Sequence, residues 1–376
     1  MDLMKRIWLA TALFAVVAVF CAPVSALSAR SAVVMDAPTG RVLFEHNARE
    51  RSLIASTTKI MTALLVCEDL DPDREIVIPP EAAGIEGSSL CLKAGERVRI
   101  VDLLYGMMLR SGNDAAAALA VAHSGSEEAF VRAMNGRAEA LGLRDTHFAN
   151  PHGLDDGNNY STACDLALLA RAAMENERFR EAVGAKSYRF GERALVNHNK
   201  LLWRCEGAEG VKTGFTKAAG RVLVSSVTRQ GRRLICVTIR APDDWNDHCA
   251  LYGECYRQFR TVTLCKRGQV LGMVGDAPAA AAQDVQVLLL PDETIDRMRV
   301  QIGPDGASAQ WLCGDHVLAE CPLIGIGNGR TASEDHSGQV GSVPPEGGGP
   351  DPGGQSAAQR QHCRAGRLRR SRAGCD

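Results

Sequence analysis

A serine and a lysine lie three residues apart at the start of the apolar segment LIASTTKIMTALL, which runs from Leu53 to Leu65. The spacing of the apolar residues predicts a helix, in which residues three apart share a face. Ser56 and Lys59 therefore have the spacing of a nucleophile beside its base. The structural alternative makes Ser56 an N-cap and Lys59 a solvated helix lysine. Taken alone, the pair favours that alternative, because so short a pattern arises by chance in a long chain.

Two further short motifs follow along the chain. Residues 111–113 (Ser-Gly-Asn) separate two segments of helical periodicity, where a plain turn is the alternative. Residues 212–214 (Lys-Thr-Gly) lie in a β-rich segment, and the glycine leaves the strand open to the backbone of a ligand. The alternative there is an edge strand protected by its lysine. Each motif is unremarkable alone, but the three in this order match the motif set of penicillin-interacting serine enzymes.

The surrounding elements predict a helical block between early and late strands. A hairpin is expected from 31–36 and 41–45 around Pro38-Thr39-Gly40, and short strands and turns from 72–100. Helical periodicity fills 101–143, and a further helix is expected from Ser161 to Met174, with Ser161 or Thr162 as its N-cap. The fold class predicted from this order is α/β (α+β), with helices covering an antiparallel sheet.

The later sequence is rich in β-forming residues. The segments GVKTGFT, GRVLVSSVTR and RRLICVTIRA predict an antiparallel meander, with a turn at Gln230-Gly231, and a helix is expected from Trp245 to Phe259. Short strand-like runs then predict a small β-rich domain over 262–328, preceded by the main domain over 27–261. The glycine- and proline-rich residues 329–376 have too few apolar groups for a core, so a disordered tail is expected.

The N-terminus has the features of an export signal. Two basic residues precede an apolar run from Ile7 to Phe20, and small residues around Ala26 suit a signal peptidase. We therefore predict a cleaved signal peptide over 1–26, the alternative being a retained membrane helix. The net charge of −1 gives no support for a nucleic-acid partner.

The cysteines have no metal-binding spacing. Thirteen are present, and cleavage after Ala26 removes Cys21 and leaves an even number, which permits disulfides in an exported protein. Cys313 and His316 have a ligand-like spacing, but no second such pair accompanies them. We expect neither a metal site nor a cofactor.

The sequence resembles the D-alanyl-D-alanine carboxypeptidases, the low-molecular-mass penicillin-binding proteins. The resemblance extends from about Ser28 to Val262 and is carried by ASTTKIMTALL, MLRSGNDAAAALA, FANPHGLDD, STACDLALLARAAM, NHNKLLW and GVKTGFTKAAG. It implies a β-lactamase/transpeptidase-like domain followed by a small all-β domain. It also implies an exported serine D,D-peptidase that removes the terminal D-alanine from peptidoglycan stem peptides and is acylated by β-lactams.

The resemblance assigns a role to each motif residue. Ser56 is the nucleophile, Lys59 its base, and Ser111 a proton relay to the leaving amine. Substrate binding is assigned to Asn113, Lys212, Thr213, Gly214 and Phe215: Asn113 holds a peptide carbonyl, and Lys212 and Thr213 meet the terminal carboxylate. The backbone N–H groups of Ser56 and Phe215 form the oxyanion hole.

Some features depart from the family pattern. Ile54 stands where proline is frequent, and Phe215 where some members have histidine. Arg240 is the nearest candidate for a carboxylate-binding arginine. The tail lacks the amphipathic helix with which many members lie on the membrane, so at most peripheral association is expected.

Two other functions fit the same fold. A β-lactamase would need a loop glutamate, and Glu192 in GERALVN matches that pattern poorly. A catalytically inactive penicillin sensor or wall-binding protein would be expected to have a broken motif. His152 is interpreted as a structural loop residue, because no serine lies in a Gly-x-Ser-x-Gly elbow.

Overall fold

The computed structural model describes residues 27–289, 293, 295, 298–303, 306–313 and 316–325. The described chain forms two compact units, with the division between Gln258 and Phe259. The predicted signal peptide and the predicted tail lie outside the described residues. Within them, no helix combines the length and the apolar character needed to cross a membrane.

The first unit is built on a five-stranded antiparallel sheet in the order β2-β1-β11-β10-β9. Its strands are β1 Ser31–Asp36, β2 Val42–His46, β9 Ala208–Thr216, β10 Gly220–Arg229 and β11 Arg232–Ile239, and the minor strands are β3 Ser52–Leu53, β4 Glu75–Val77, β5 Arg97–Arg99, β6 Tyr160–Ser161, β7 Ser187–Phe190 and β8 Arg193–Val196. The predicted hairpin and meander are present. Strand β9, which carries the Lys-Thr-Gly motif, is the edge strand.

The helices of this unit lie between β2 and β9 in sequence, apart from the last. They are α1 Lys59–Asp69, α2 Ile100–Arg110, α3 Asn113–Ser124, α4 Glu127–Ala140, α5 Ala163–Ala173, α6 Glu177–Gly184, α7 Leu201–Arg204 and α8 Asp244–Gln258. The expected cap of α5 is Thr162, whose side chain accepts a hydrogen bond from the Asp165 backbone N–H. The predicted fold class, with helices covering an antiparallel sheet, is confirmed.

Helices cover both faces of the sheet. Every residue from Leu234 to Ile239 is buried, and since successive side chains of a strand point to opposite faces, both faces of β11 must be packed. Helices α5 and α8 both pack against β11. Helix α1 is buried from Lys59 to Cys67, which places its first turn in the interior. Lys59, the first residue of this helix, is therefore shielded from water.

The second unit is all β in the described residues. Its strands are β12 Arg260–Cys265, β13 Val270–Val274, β14 Ala277–Ala281, β15 Val285–Leu289, β16 Met298–Ile302, β17 Ser308–Cys313 and β18 His316–Gly325. Five of them form a sheet in the order β13-β14-β18-β17-β16, and β12 pairs with β15. Buried Val287, Leu289 and Trp311 belong to its core. Sequence analysis did not predict β12, β14 and β18 as separate strands. The alanine-rich β14 lacks a period-two apolar pattern.

All ten described cysteines are free thiols, although the composition permits disulfides. The described residues also contain no cluster of three or more His, Cys, Asp or Glu side chains placed to hold a metal ion.

Candidate active site

Ser56 lies in a single 3-10 turn, Ala55–Thr58, that leads directly into α1. Sequence analysis expected a continuous helix here. The residue before the serine, Ala55, is buried and has φ +46°, a left-handed conformation that residues other than glycine seldom adopt. Such backbone conformations concentrate at functional sites, where the surrounding packing holds them. Ser56 itself remains partly accessible while its neighbours on both sides are buried.

Lys59 is fully buried, and its Nζ atom contacts three oxygen atoms. It lies 3.1 Å from Ser56 Oγ, donates to Asn113 Oδ1 at 2.7 Å, and donates to the backbone carbonyl of His152. The Asn113 amide is oriented by its Nδ2, which donates to the Glu86 carbonyl at 2.7 Å, so its oxygen faces the lysine. A neutral amine has two N–H groups for Asn113 and His152, which leaves its lone pair directed to the serine hydroxyl.

Burial makes this lysine easier to deprotonate. It lowers the pKa of Lys59 well below its ordinary value, and the positive charge of Lys212 lowers it further, while Asp114 acts in the opposite direction. Burial also lowers the pKa of Lys212 to about 7. A buried lysine of depressed pKa in contact with a serine, with the charge of a second buried lysine acting on it, is an arrangement suited to removing a hydroxyl proton near neutral pH.

The Ser-Gly-Asn motif forms the junction between α2 and α3, as predicted. Ser111 is buried and adopts a left-handed conformation with φ 64°, which turns the chain between the two helices. Within the described part of the chain, its side chain makes no hydrogen bond to either lysine. The next residue but one, Asn113, begins α3 and reaches Lys59. The junction therefore brings the Asn113 side chain into direct contact with Lys59. Ser111 is near Asn113 in the sequence.

Strand β9 approaches the Ser56 turn so closely that a side chain at position 214 would be tightly packed against it. A Cβ atom there would lie 3.1 Å from the Ile54 carbonyl oxygen and 3.2 Å from the Ser56 nitrogen. The neighbouring Lys212 is almost fully buried, and its Nζ donates to the Thr213 carbonyl at 2.8 Å. Phe215 follows with an exposed side chain. The site residues predicted on β9 thus lie beside the predicted nucleophile.

The loop of residues 150–156 closes the other side of the lysine. Its carbonyl groups at Pro151 and His152 accept hydrogen bonds from Thr62 Oγ1 and Lys59 Nζ. Asp155 accepts from Thr216 Oγ1 at 2.7 Å, which links the loop to the end of β9. Sequence analysis treated His152 as a structural residue. Its carbonyl oxygen touches the proposed base, a contact for which the side-chain pattern gives no signal.

Asp114 is a second residue that sequence analysis missed. It is fully buried in the first turn of α3 and accepts hydrogen bonds from the Leu90 and Leu92 backbone N–H groups and from Ser89 Oγ. These bonds fix the segment before β5 against α3. The carboxylate also raises the pKa of Lys59 and thereby moderates the effect of burial.

The family model described as D-alanyl-D-alanine carboxypeptidase matches residues 18–243. The chain belongs to this family. Family membership makes it a serine-type peptidase, a class of hydrolase, and the resemblance found in the sequence is confirmed.

Relatives in this carboxypeptidase family match about two thirds of the chain. The chain is 37% identical over 259 residues to the D-alanyl-D-alanine carboxypeptidase DacF of Bacillus subtilis, covering 65% of this chain and 67% of DacF. It is 38% identical over 256 residues to DacC of Escherichia coli, covering 64% of each protein. The alignments therefore span about two thirds of each relative's length.

Solved structures of the same family share the fold over more of the chain. Penicillin-binding protein 6B of Escherichia coli matches with a TM-score of 0.67 and 31% identity, covering 81% of this chain and 98% of that one. Penicillin-binding protein 5 of Haemophilus influenzae matches with a TM-score of 0.69 and 26% identity, covering 80% and 97%. In both comparisons, the matched part of this chain is longer than the first unit.

Proposed function

We propose that this protein is a serine D-Ala-D-Ala carboxypeptidase that removes the terminal D-alanine from peptidoglycan pentapeptide stems through an acyl-enzyme on Ser56. The observation that carries the proposal is the contact of Ser56 Oγ with Lys59 Nζ at 3.1 Å, with the lysine fully buried. The names of the relatives support the same substrate class.

The first step is attack on the peptide bond between the two D-alanines. Lys59, in its neutral form, takes the proton of Ser56 as Oγ bonds to the carbonyl carbon of the penultimate D-alanine. The negative oxygen of the tetrahedral intermediate is held by the backbone N–H groups of Ser56 and Phe215. Collapse breaks the C–N bond, and the amine of the terminal D-alanine leaves with a proton from Lys59, relayed by Ser111.

Hydrolysis of the ester completes the cycle. Lys59 is neutral again and accepts a proton from water as the water attacks the acyl carbon, and Ser56 leaves with that proton. The three oxygen contacts of Lys59 suit both protonation states, since an ammonium has three N–H groups and a neutral amine has two and a lone pair. The base therefore exchanges its proton without moving.

Substrate binding is assigned to the rim of the same site. The terminal carboxylate meets Lys212 and Thr213, and Gly214 allows the extended substrate to lie along the edge strand β9. Asn113 Nδ2 has a second N–H beyond the one donated to Glu86, and this group is proposed to hold a substrate carbonyl. A β-lactam acylates Ser56 by the same chemistry.

The remaining proposals concern organisation and location. We assign the serine D,D-peptidase domain to 27–261, the small β-rich domain to 262–328 and the low-complexity tail to 329–376. Export by a cleaved signal peptide over 1–26 places the enzyme at the cell wall or the outer face of the cytoplasmic membrane, with at most peripheral membrane contact. N-terminal sequencing of the mature protein tests the cleavage.

The function is tested by labelling with a fluorescent penicillin and by release of D-alanine from a soluble pentapeptide. Ser56→Ala is expected to lose both activities, and mass mapping of the wild-type adduct should place it on the peptide that contains Ser56. Ser187→Ala, at an exposed position on β7, is the matched control and should retain both. Labelling that persists in Ser56→Ala, in a folded protein with an unchanged circular dichroism spectrum, would refute the assignment.

A further inference from the structure

Two cysteines far apart in sequence meet within the first unit. Cys205 caps the C-terminus of α7, and Cys249 lies on α8. Their thiols are hydrogen-bonded to each other. Cys205 is buried and Cys249 is half-buried. The contact therefore joins the short helix that precedes β9 to the last helix of the unit.

An arginine is fixed against one sulfur of this pair. Arg229 Nη2 donates to Cys205 Sγ at 3.3 Å, while its Nε donates to the Glu206 carbonyl at 3.0 Å. Its guanidinium also lies over the Tyr256 ring at 5.2 Å from the centroid, so the cation is held in place on two sides. Charge-assisted bonds of this kind favour a thiolate over a thiol.

The two thiols are differentiated by this environment. The hydrogen bond from Cys249, followed by the positive charge of Arg229, lowers the pKa of Cys205, although burial and Glu206 act in the opposite direction. The same hydrogen bond raises the pKa of Cys249, while Arg229 and Arg204 lower it. The bond from Arg229 and the hydrogen bond from Cys249 therefore both favour the thiolate form of Cys205.

A second pair in the other unit provides the contrast. The thiols of Cys265 and Cys321 are also hydrogen-bonded to each other, and both lie within reach of the Gln283 carbonyl. Burial raises the pKa of Cys265, and Cys321 raises it further. Burial therefore disfavours the thiolate form of Cys265, and a thiol is a poorer nucleophile than a thiolate.

We propose that Cys205 and Cys249 form a redox site, which a hydroperoxide converts into an intramolecular disulfide. The Cys205 thiolate attacks the terminal peroxide oxygen, the O–O bond breaks, and the leaving oxygen takes a proton from solvent, so the products are a sulfenic acid and an alcohol, or water from hydrogen peroxide. Cys249 then attacks the sulfenic sulfur, the S–OH bond breaks, and the Cys249 proton leaves with the hydroxide as water. The two thiols lose two electrons in total, and these reduce the peroxide.

Oxidation would alter the segment that contains the candidate site. A Cys205–Cys249 disulfide closes a loop that includes β9, β10 and β11, and cross-linking a long loop stabilises a fold by restricting its unfolded state. Oxidising compartments outside the cytoplasm favour such a bond. The proposal rests on the contact between the two thiols and on the bond from Arg229 to Cys205. It is independent of the peptidase function, so either can fail without the other.

The test uses the fully reduced full-length protein, treated with hydrogen peroxide, quenched with iodoacetamide and mapped by peptide mass. We expect Cys205 and Cys249 peptides to be linked at least about tenfold faster than Cys265 and Cys321, because Arg229 favours the thiolate of Cys205 whereas burial disfavours that of Cys265. The exposed Cys91 should be alkylated and not linked to either. Cys205 and Cys249 left free after the second pair has linked would overturn the proposal, as would equal rates for the two pairs.

Two variants identify the reacting sulfur. Cys249→Ser should stop at a sulfenic acid on Cys205, trapped by dimedone, whereas Cys265→Ser is the matched control and should leave the Cys205–Cys249 reaction unchanged. Oxidation of the wild-type protein should raise Tm by about 5 °C, and Cys249→Ser should abolish that rise. Dimedone trapped on Cys249 in a Cys205→Ser protein at the wild-type rate would contradict the assignment of Cys205.

Discussion

A Cβ atom on Gly153 would lie 2.0 Å from the carbonyl oxygen of Ala55. The loop that presents the His152 carbonyl to Lys59 therefore packs on the Ser56 turn without space for a methyl group. Gly153 also has φ +84°, which an L side chain disfavours. This contact sets the distance between the proposed base and the loop that orients it.

Gly153→Ala is expected to reduce both stability and activity. The backbone of one segment or the other must shift, and this moves the His152 carbonyl away from Lys59 Nζ. Gly142→Ala is the matched control, because Gly142 also has positive φ but an added Cβ meets nothing within 4 Å. We expect the control to cost about 1 kcal/mol of unfolding free energy and Gly153→Ala clearly more. Urea denaturation and kcat/KM measure the two effects, and equal costs would show that the contact is not restrictive.

The two buried lysines should respond differently to substitution by arginine. Lys59→Arg is expected to lower acylation about 10²- to 10⁴-fold, because arginine does not release its proton at working pH. Lys212→Arg keeps the positive charge proposed to meet the carboxylate and should retain part of the turnover. Stopped-flow acylation by a chromogenic penicillin compares them. If Lys59→Arg proved the more active variant, the roles of the two lysines would have to be exchanged.

Asn113→Asp should shift the pH dependence of acylation. It replaces a neutral amide 2.7 Å from Lys59 Nζ by a carboxylate, which favours the charged amine and raises the pKa of Lys59. Since the neutral amine is the base, the rising limb of the rate profile should move to higher pH by about 1–3 units. Asn113→Ala removes the amide without adding charge and should show no upward shift. If the rising limbs of the two pH–rate profiles coincided, the result would argue against Lys59 as the base.

Lys212 is expected to destabilise the folded protein at low pH. Its pKa falls from 10.5 to about 7 on burial, so the folded chain binds this proton more weakly than the unfolded chain. The resulting loss of unfolding free energy is at its maximum below about pH 7 and declines as pH rises toward 10.5. Lys212→Met should therefore raise the free energy of unfolding at pH 6 by on the order of a few kcal/mol, with a smaller gain at pH 9.

Urea denaturation at the two pH values measures this gain. Lys217→Met, at an exposed position beyond the same strand, is the control and should change little at either pH. A gain that is the same at pH 6 and pH 9 would indicate that Lys212 affects stability through packing alone. Lys212→Met should also lose turnover, because it lacks the lysine proposed to bind the substrate carboxylate.

Removal of residues 329–376 is expected to leave carboxypeptidase activity on a soluble pentapeptide unchanged. All the proposed catalytic residues precede Thr216. Activity assays on the shortened and full chains make the comparison. Salt-resistant binding to anionic vesicles that disappears on truncation would show that the tail anchors the protein, contrary to our expectation of weak, salt-sensitive attraction by its arginines.

Local sequence patterns predicted the elements that carry the motifs. Residue spacing was sufficient for the β1–β2 hairpin, the meander of β9 to β11 and a cap at Ser161 or Thr162, since each depends on neighbours in the chain. The order of the three motifs was also enough to indicate the family. The sequence did not indicate the 3-10 turn at Ser56, because Ala55 adopts its left-handed conformation only under tertiary packing.

Only the tertiary structure decided the state and surroundings of the proposed base. The pKa of Lys59 is lowered chiefly by burial, and burial depends on elements that are distant in sequence. Lys59 donates directly to the main-chain carbonyl of His152, and the carbonyl of Glu86 orients the Asn113 amide that Lys59 also contacts. Every residue has a main-chain carbonyl, so the sequence does not indicate which ones make these contacts. The types of residue needed for the chemistry were therefore fixed in the sequence, whereas the desolvation that makes a lysine a base arises only when the chain folds around it.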